Sequence, residues 1–335
     1  MLAALLNEIE IRSDYLKGEP VETIYFGGGT PSLLSVEECK LLVEKCKSKF
    51  SLTDQAEITI ETNPDDITEE KLQGWKEAGI NRLSIGIQSF FEEDLKWMNR
   101  AHTASQAVSS LQSAVRLFQN ITVDLIYGTP LLTDEKWKQN VDTVTNLGIP
   151  HISCYALTIE PKTPLDKLIK QKQKEDVDPE KQARHFLLLM DWLGKASYEH
   201  YEISNFAKPG MRSKHNSSYW SGKKYIGIGP SAHSYNGESR QWNIANNQTY
   251  IESVQKGVIP FEKEMLTPTQ RLNEYIMISL RTIEGLDLKK VNDPGIRTQS
   301  QKYIDEGKMI EENNFLKLTR EGKLFADGIA AELFF

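Results

Sequence analysis

The stretch Thr23–Leu34, TIYFGGGTPSLL, decides the fold. Thr23–Phe26 has the β-branched and aromatic composition of a strand. It breaks at Gly27-Gly28-Gly29 and passes through Thr30-Pro31-Ser32. Three glycines in a row leave the backbone bare, so a ligand can approach its N–H and C=O groups closely. Just beyond, Ser35 and Glu38 form a capping box, and Cys39, Leu42, Val43 and Cys46 fall on one helical stripe. Strand, glycine turn and helix make half of a βα unit.

The pattern repeats outward. Further apolar runs lie at Glu57–Ile60, Arg82–Ile87, Ile121–Ile126 and His151–Leu157. Between them, one helix signal runs from Thr68 through Leu72 and Trp75 to Gly79. Another runs from Asp134 through Trp137, Val141, Val144 and Leu147 to Gly148. This order predicts an α/β fold of parallel strands with right-handed crossovers. Five such runs are too few for a closed eight-stranded barrel, and residues 2–9 read as an amphipathic helix with no strand before it.

After a charged loop, Gln171–Lys181, Asp178-Pro179 starts a helix that reaches about Ala196. Beyond Tyr201 the composition turns Gly-, Ser-, Asn- and Tyr-rich, which predicts a boundary near 205 and two units, 1–205 and 206–335. The end, from Thr267-Pro268, reads helix, helix, a hairpin turning at Asn313-Asn314, and a last helix: an α+β unit closing in a winged-helix-like module.

Composition bounds the function. The 335 residues are 39% hydrophobic, 26% charged and 9% aromatic, an ordinary globular balance for roughly two domains. A net charge of −7 argues against a nucleic-acid or anionic-membrane binder, because phosphate neutralisation needs a basic face. No run reaches membrane-span length, and the N-terminus lacks the positive segment of a signal peptide, so a cytoplasmic address is expected. Three cysteines are too few for a disulfide framework. Cys39 and Cys46 read as core, Cys154 sits alone in a strand, and the three do not make a metal site.

In parallel βα folds, ligands bind at the carboxyl ends of strands. Here those ends carry the glycine turn, Glu61, Gln88 and Asp124, with Arg100 in the following connection. A glycine turn alone is a weak signal, but polar groups converging on one rim point to a small-molecule site.

Four segments, Thr23–Leu34, Glu61–Asp66 (ETNPDD), Asn81–Phe90 (NRLSIGIQSF) and Val123–Pro130 (VDLIYGTP), resemble the coproporphyrinogen-dehydrogenase-like branch of the radical SAM superfamily. The resemblance covers about residues 1–205 and implies a partial (β/α)6 barrel missing its first strand. It places Gly29 and Thr30 on the methionyl part of S-adenosylmethionine, with Gly27 and Gly28 shaping the loop. Glu61, Gln88, Arg100 and Asp124 take the rest of that molecule, and Ala156 makes an adenine-side backbone contact. The chemistry agrees: a sulfonium and an ammonium suit carboxylates, and a carboxylate suits Arg100.

The segments His215–Trp220 (HNSSYW), Tyr198–Ala207 and Tyr225–Ser234 resemble the HemW heme-chaperone family within that branch. That resemblance implies a heme-binding chaperone delivering heme to acceptor proteins, some of them at membranes, with S-adenosylmethionine, heme and, in a full-length form, a [4Fe–4S] cluster. His215 is the first candidate iron ligand and His233 the second, with Asn216, Tyr219 and Trp220 around the porphyrin; the aromatics would serve equally well as an interface core. The alternatives are an oxygen-independent coproporphyrinogen III dehydrogenase and a cluster-free binding or regulatory module.

The family's CxxxCxxC motif does not occur in this sequence. The chain begins on the helix that normally follows that motif, so the expectation is a form lacking the first strand and cluster loop. Such a form would generate no radical, bind the nucleotide more weakly and expose the edge of Thr23–Phe26.

Overall fold

The computed structural model describes residues 1–291 and 293–335. Helix α1 (Leu2–Ile11) leads to β1 (Val21–Phe26), α2 (Val36–Lys49), β2 (Leu52–Thr62), α3 (Glu69–Glu77) and β3 (Arg82–Gln88). Then follow α4 (Glu92–Trp97), α5 (Ala104–Leu117), β4 (Ile121–Tyr127), α6 (Asp134–Asn146) and β5 (His151–Ala156). Helices α7 (Pro164–Lys170) and α8 (Pro179–Lys195) precede β6 (Glu199–Glu202) and β7 (Asn205–Ala207). The strands form one curled sheet of α/β type, ordered β1-β2-β3-β4-β5-β7-β6. The five expected runs are its parallel strands; β6 and β7 add an antiparallel end, too short and polar to read as strands.

The helix signals hold because each end has a partner. Ser35 accepts from the Glu38 N–H while the Glu38 carboxylate accepts from the Ser35 N–H. Thr68, Thr133 and Asp178 accept from backbone N–H groups in the first turns of α3, α6 and α8. Gly79 and Gly148 stand at φ +95° and +71°, the left-handed stop.

Along the parallel strands the side chains alternate by face. Ile24, Ile58, Ile60, Leu83, Ile85, Val123, Leu125 and Ile152 pack outward against the helices, among them Trp75, Leu111, Trp137 and Leu189. The register turns Thr23, Tyr25, Glu57, Thr59, Arg82, Ser84, Thr122, Asp124, His151 and Ser153 to the opposite, concave face. The curled sheet therefore has an apolar back and a polar lining.

Helix α9 (Lys214–Trp220) packs against β1. Strands β8 (His233–Tyr235), β9 (Ser239–Asn243) and β10 (Phe261–Met265) form a small antiparallel sheet beside α10 (Asn247–Gln255). Then come α11 (Pro268–Leu280), β11 (Leu286–Asp287), α12 (Leu288–Val291) and α13 (Gly295–Asp305). Strands β12 (Met309–Glu312) and β13 (Phe315–Leu318) and helix α14 (Ala326–Glu332) close a second apolar core. Asn313 and Asn314, at φ 52° and 66°, make the expected hairpin turn.

Helix α1 ties the first part of the chain to the small sheet. Buried Glu8 accepts from Arg12, Asn243, the Gly229 N–H and Tyr250. Arg12 reaches the Gly227 carbonyl at 3.1 Å and the Ser234 hydroxyl at 3.1 Å. The position 205/206 falls within β7, the antiparallel neighbour of β5.

Candidate functional site

A cavity of about 220 Å³ opens at the carboxyl ends of β1–β4, lined by Gly29, Thr30, Glu61, Gln88, Arg100 and Asp124. These are the rim positions singled out in the sequence, and the same cavity adds Ser32, Asn63, Ser84 and Gly86. Ala156 ends β5 opposite Tyr127 and is outside this lining group.

Each group has a structural reason to be there. Gly28 and Gly29 stand at φ +73° and +61°, a conformation L side chains rarely adopt, with nothing within 4 Å of a built Cβ. Gly27 is different: its Cβ would lie 2.6 Å from the Tyr25 ring and 3.2 Å from the Glu61 carboxylate. Gln88 sits at φ 66° where the β3–β4 register shifts, a left-handed non-glycine residue at a bulge.

Glu61 is held on both oxygens, accepting from the Tyr25 hydroxyl at 2.7 Å and the Gly28 N–H at 3.2 Å. Arg100 donates to the Asn63 side chain at 2.9 Å, and its buried Nε has no partner. Burial pushes the Asp124 carboxyl up to about 6, the nearby Glu61 charge adding to it, against the Ser153 and Ser84 hydroxyls and Arg82. Two carboxyl groups, a guanidinium with a free donor and the bare Gly29 backbone suit a small molecule bearing both cationic and carboxylate groups. S-adenosylmethionine has that donor set, so the residues present fit it.

An iron–sulfur cluster is not fitted by the groups present. Among the described residues no three His, Cys, Asp or Glu side chains could hold a metal ion together. Cys39 and Cys154 are buried and Cys46 is partly so, with all three thiols pushed up by burial. Thiolates, the ligand form, are disfavoured at each.

Beneath the rim lies α9. Ser213 caps it, and the carboxylate of Glu57 accepts from the Lys214 N–H at 3.1 Å and the His215 N–H at 3.0 Å. Buried Arg82 stands 3.6 Å from that carboxylate. His215 places Nδ1 at 3.1 Å from the Thr23 hydroxyl, and its ring stacks on Tyr25 at 4.2 Å with a 10° tilt. Burial, with the Arg82 charge, lowers its pKa to about 4, so the imidazole is neutral. Tyr219 meets His215 edge-on, and Trp220 lies under the Arg281 guanidinium. Asn216 donates its N–H to the Ser213 hydroxyl. His233 stands apart, exposed on β8 beside Trp242.

Tyr25, Glu57, Arg82 and Ser84 were not picked out in the sequence. Their signal was the strict alternation of polar and apolar residues in TIYF, EITIE and RLSI. In a parallel strand covered on both faces by helices the run is normally apolar throughout. Alternation marks a strand with one polar face.

The curled parallel sheet with its polar rim is the architecture of the radical SAM superfamily, whose family pattern matches residues 4–144. The heme chaperone HemW of Mycobacterium tuberculosis is 32% identical over 334 residues, covering 99% of this chain and 85% of that protein. HemW of Bacillus subtilis is 32% identical over 323 residues, covering 93% and 85%. This chain belongs to the HemW heme-chaperone family. The solved structure of coproporphyrinogen III oxidase (HemN) from Escherichia coli superposes with a TM-score of 0.84 at 22% identity, covering 99% of this chain and 82% of that one. That likeness is one of fold. Superfamily membership implies S-adenosylmethionine and [4Fe–4S] as cofactors. Among the described residues no helix is long and apolar enough to cross a membrane.

Proposed function

We propose that this chain is a heme-binding chaperone that delivers heme to acceptor proteins and takes S-adenosylmethionine at the sheet rim. The single observation that carries the nucleotide part is the convergence of Glu61, Asp124, Arg100 and the bare Gly29 backbone on one cavity. Glu61 and Asp124 attract the cationic groups, Arg100 takes the carboxylate, and Gly29 and Thr30 flank the methionyl part. Gln88 closes the rim, Gly27 keeps the turn tight, and Ala156 offers its backbone on the adenine side. The heme part rests on kinship with proteins named heme chaperones. The sequence resemblance offers His215, Asn216, Tyr219, Trp220 and His233 as heme candidates; of the two histidines, His233 is the exposed one.

Residues 1–205 act as the nucleotide unit and 206–335 as the heme unit, which ends in a winged-helix-like module. The protein works in the cytoplasm, meeting membranes only through its acceptors. This chain's own residues bind and orient the nucleotide.

Titration of the chain with S-adenosylmethionine and, separately, with hemin tests the reading. Saturable binding of both, with no conversion of coproporphyrinogen III under reducing conditions, supports a chaperone. Absence of hemin binding removes the heme part, and binding of the nucleotide unchanged in Glu61→Gln/Asp124→Asn removes the rim from the site.

A further inference from the structure

Iron in a porphyrin needs a ligand nitrogen with a free lone pair and room for a planar macrocycle beside it. Of the histidines among the described residues, three have both ring nitrogens engaged and two have one. His102 bonds the Ile87 carbonyl through Nε2 and buries an unpartnered Nδ1 out of reach of any ligand. His151 bonds Thr122 and Tyr201, and His185 bonds the Gly128 N–H and Asp134. His200 bonds the Ile203 carbonyl and Lys323. His215 bonds Thr23 through Nδ1 and has no bond at Nε2, but Tyr25 stacks on its face at 4.2 Å and Tyr219 packs against it edge-on at 5.0 Å, which crowds a macrocycle there. His233 is exposed and has no hydrogen bond among the described residues.

Its surroundings suit a flat apolar ligand. A cleft of about 590 Å³ is lined by His233, Trp242, Ile244, Pro260 and Phe261, a size in the range of small-molecule sites. Trp242 is the register partner of His233, with ring centroids 6.0 Å apart. Ile244 and Phe261 leave 38% and 48% of their surface uncovered, unusual for large apolar side chains grouped together. The floor is fixed: Asn243 bonds Glu8, the Asn243 N–H bonds the Ala232 carbonyl, and the Ile244 N–H bonds the Pro260 carbonyl at 2.9 Å. Glu262 also lines the cleft and repels carboxylates, so acidic ring substituents must point away to solvent.

We infer that the cleft on the His233–Trp242 side of the small sheet is the iron-porphyrin site, with the His233 imidazole as the axial ligand and Trp242 against the macrocycle. His215 is then a positioning residue that seats α9 against β1. The step is coordination alone: the imidazole lone pair displaces water from ferric iron, and no electron moves. This rests on the heme reading above.

The test is a hemin titration of the full chain, followed by absorption and circular dichroism, in wild type, His233→Ala, His233→Gly and His215→Gln. His233→Ala is expected to lose the imidazole-ligated Soret band and bind hemin at least about tenfold more weakly. Added imidazole should restore the band in His233→Gly. His215→Gln, which keeps a hydrogen-bonding group toward Thr23, should keep the wild-type band. A His233→Ala protein with unchanged band and affinity overturns the assignment, as does a folded His215→Gln protein that loses the band. In either case the heme reading survives; only a wild-type chain that fails to bind hemin removes both.

Discussion

At the sheet rim, Gly29, Glu61, Gln88, Arg100 and Asp124 come from separate segments, and parallel register gathers their polar groups into one cavity. In α9, by contrast, consecutive residues of HNSSYW point around a short helix and spend their groups on packing: His215 on Tyr25 and Thr23, Trp220 under Arg281. A site assembled from distant strand tips turns its functional groups into one cavity, because strands align side chains on one face. A contiguous motif on one helix distributes them around the axis. Tyr25 touches both regions, bonding Glu61 through its hydroxyl and His215 through its ring.

The largest effect should come from cutting α9 loose. Glu57 and Arg82 are 4% and 1% exposed, so Glu57→Ala leaves a buried guanidinium without its carboxylate and two helix N–H groups unbonded. A loss of about 3–5 kcal/mol is expected in urea unfolding; a loss under about 1 kcal/mol would show that the helix is held elsewhere.

Gly27→Ala tests the rim from the same strand. The added methyl must displace the Tyr25 ring, and an overpacking cost of about 1–3 kcal/mol should appear as roughly tenfold or greater weakening of S-adenosylmethionine binding. Calorimetric titration that finds wild-type affinity would place the nucleotide away from this turn.

Asp124 gives the rim a pH signature that α9 lacks. Its carboxyl titrates near 6 because it is buried and lies near Glu61. Affinity for a cationic ligand should rise as pH rises through about 6, and Asp124→Asn should flatten that rise. Stability runs the other way. The folded state keeps a proton that the unfolded chain has released, so between the ordinary carboxylate range and about 6 stability falls with rising pH. Melting curves of the two proteins across that window check the sign.

Tyr25→Phe separates the two regions with a smaller perturbation. It deletes one hydroxyl donor to Glu61, worth about 1 kcal/mol, and keeps the ring stacked on His215. Nucleotide affinity should fall several-fold while the hemin spectrum stays unchanged; a changed spectrum would mean that the regions communicate. Least of all should Lys223→Ala matter. Its ion pair with Glu22 links the chain just past α9 to the start of β1 across half-exposed surface, and a change under about 0.5 kcal/mol is expected on unfolding.

The parallel strands and most helix ends were legible because their signals are local. Ser35 with Glu38, Thr68, Asp178-Pro179 and Asn313-Asn314 act within a turn of chain, and the structure uses each as read. The rim residues could be listed because strand ends bear them in sequence order. Strands β6 and β7 could not be read, since a four- and a three-residue strand borrow their order from β5. Nor could the engagement of His215, whose partners Thr23 and Tyr25 lie almost two hundred residues earlier.

The amino-acid order by itself determined the βα rhythm, the glycine turn and the supply of carboxylates and guanidinium at strand tips, because those depend on spacing and on backbone freedom. Only the tertiary structure decided which histidine is exposed and which is packed among aromatic rings, that α1 braces the small sheet through Glu8, and that α9 is anchored by Glu57. Those outcomes depend on burial and on partners far apart in the chain, and a side chain's availability is fixed by what folds against it.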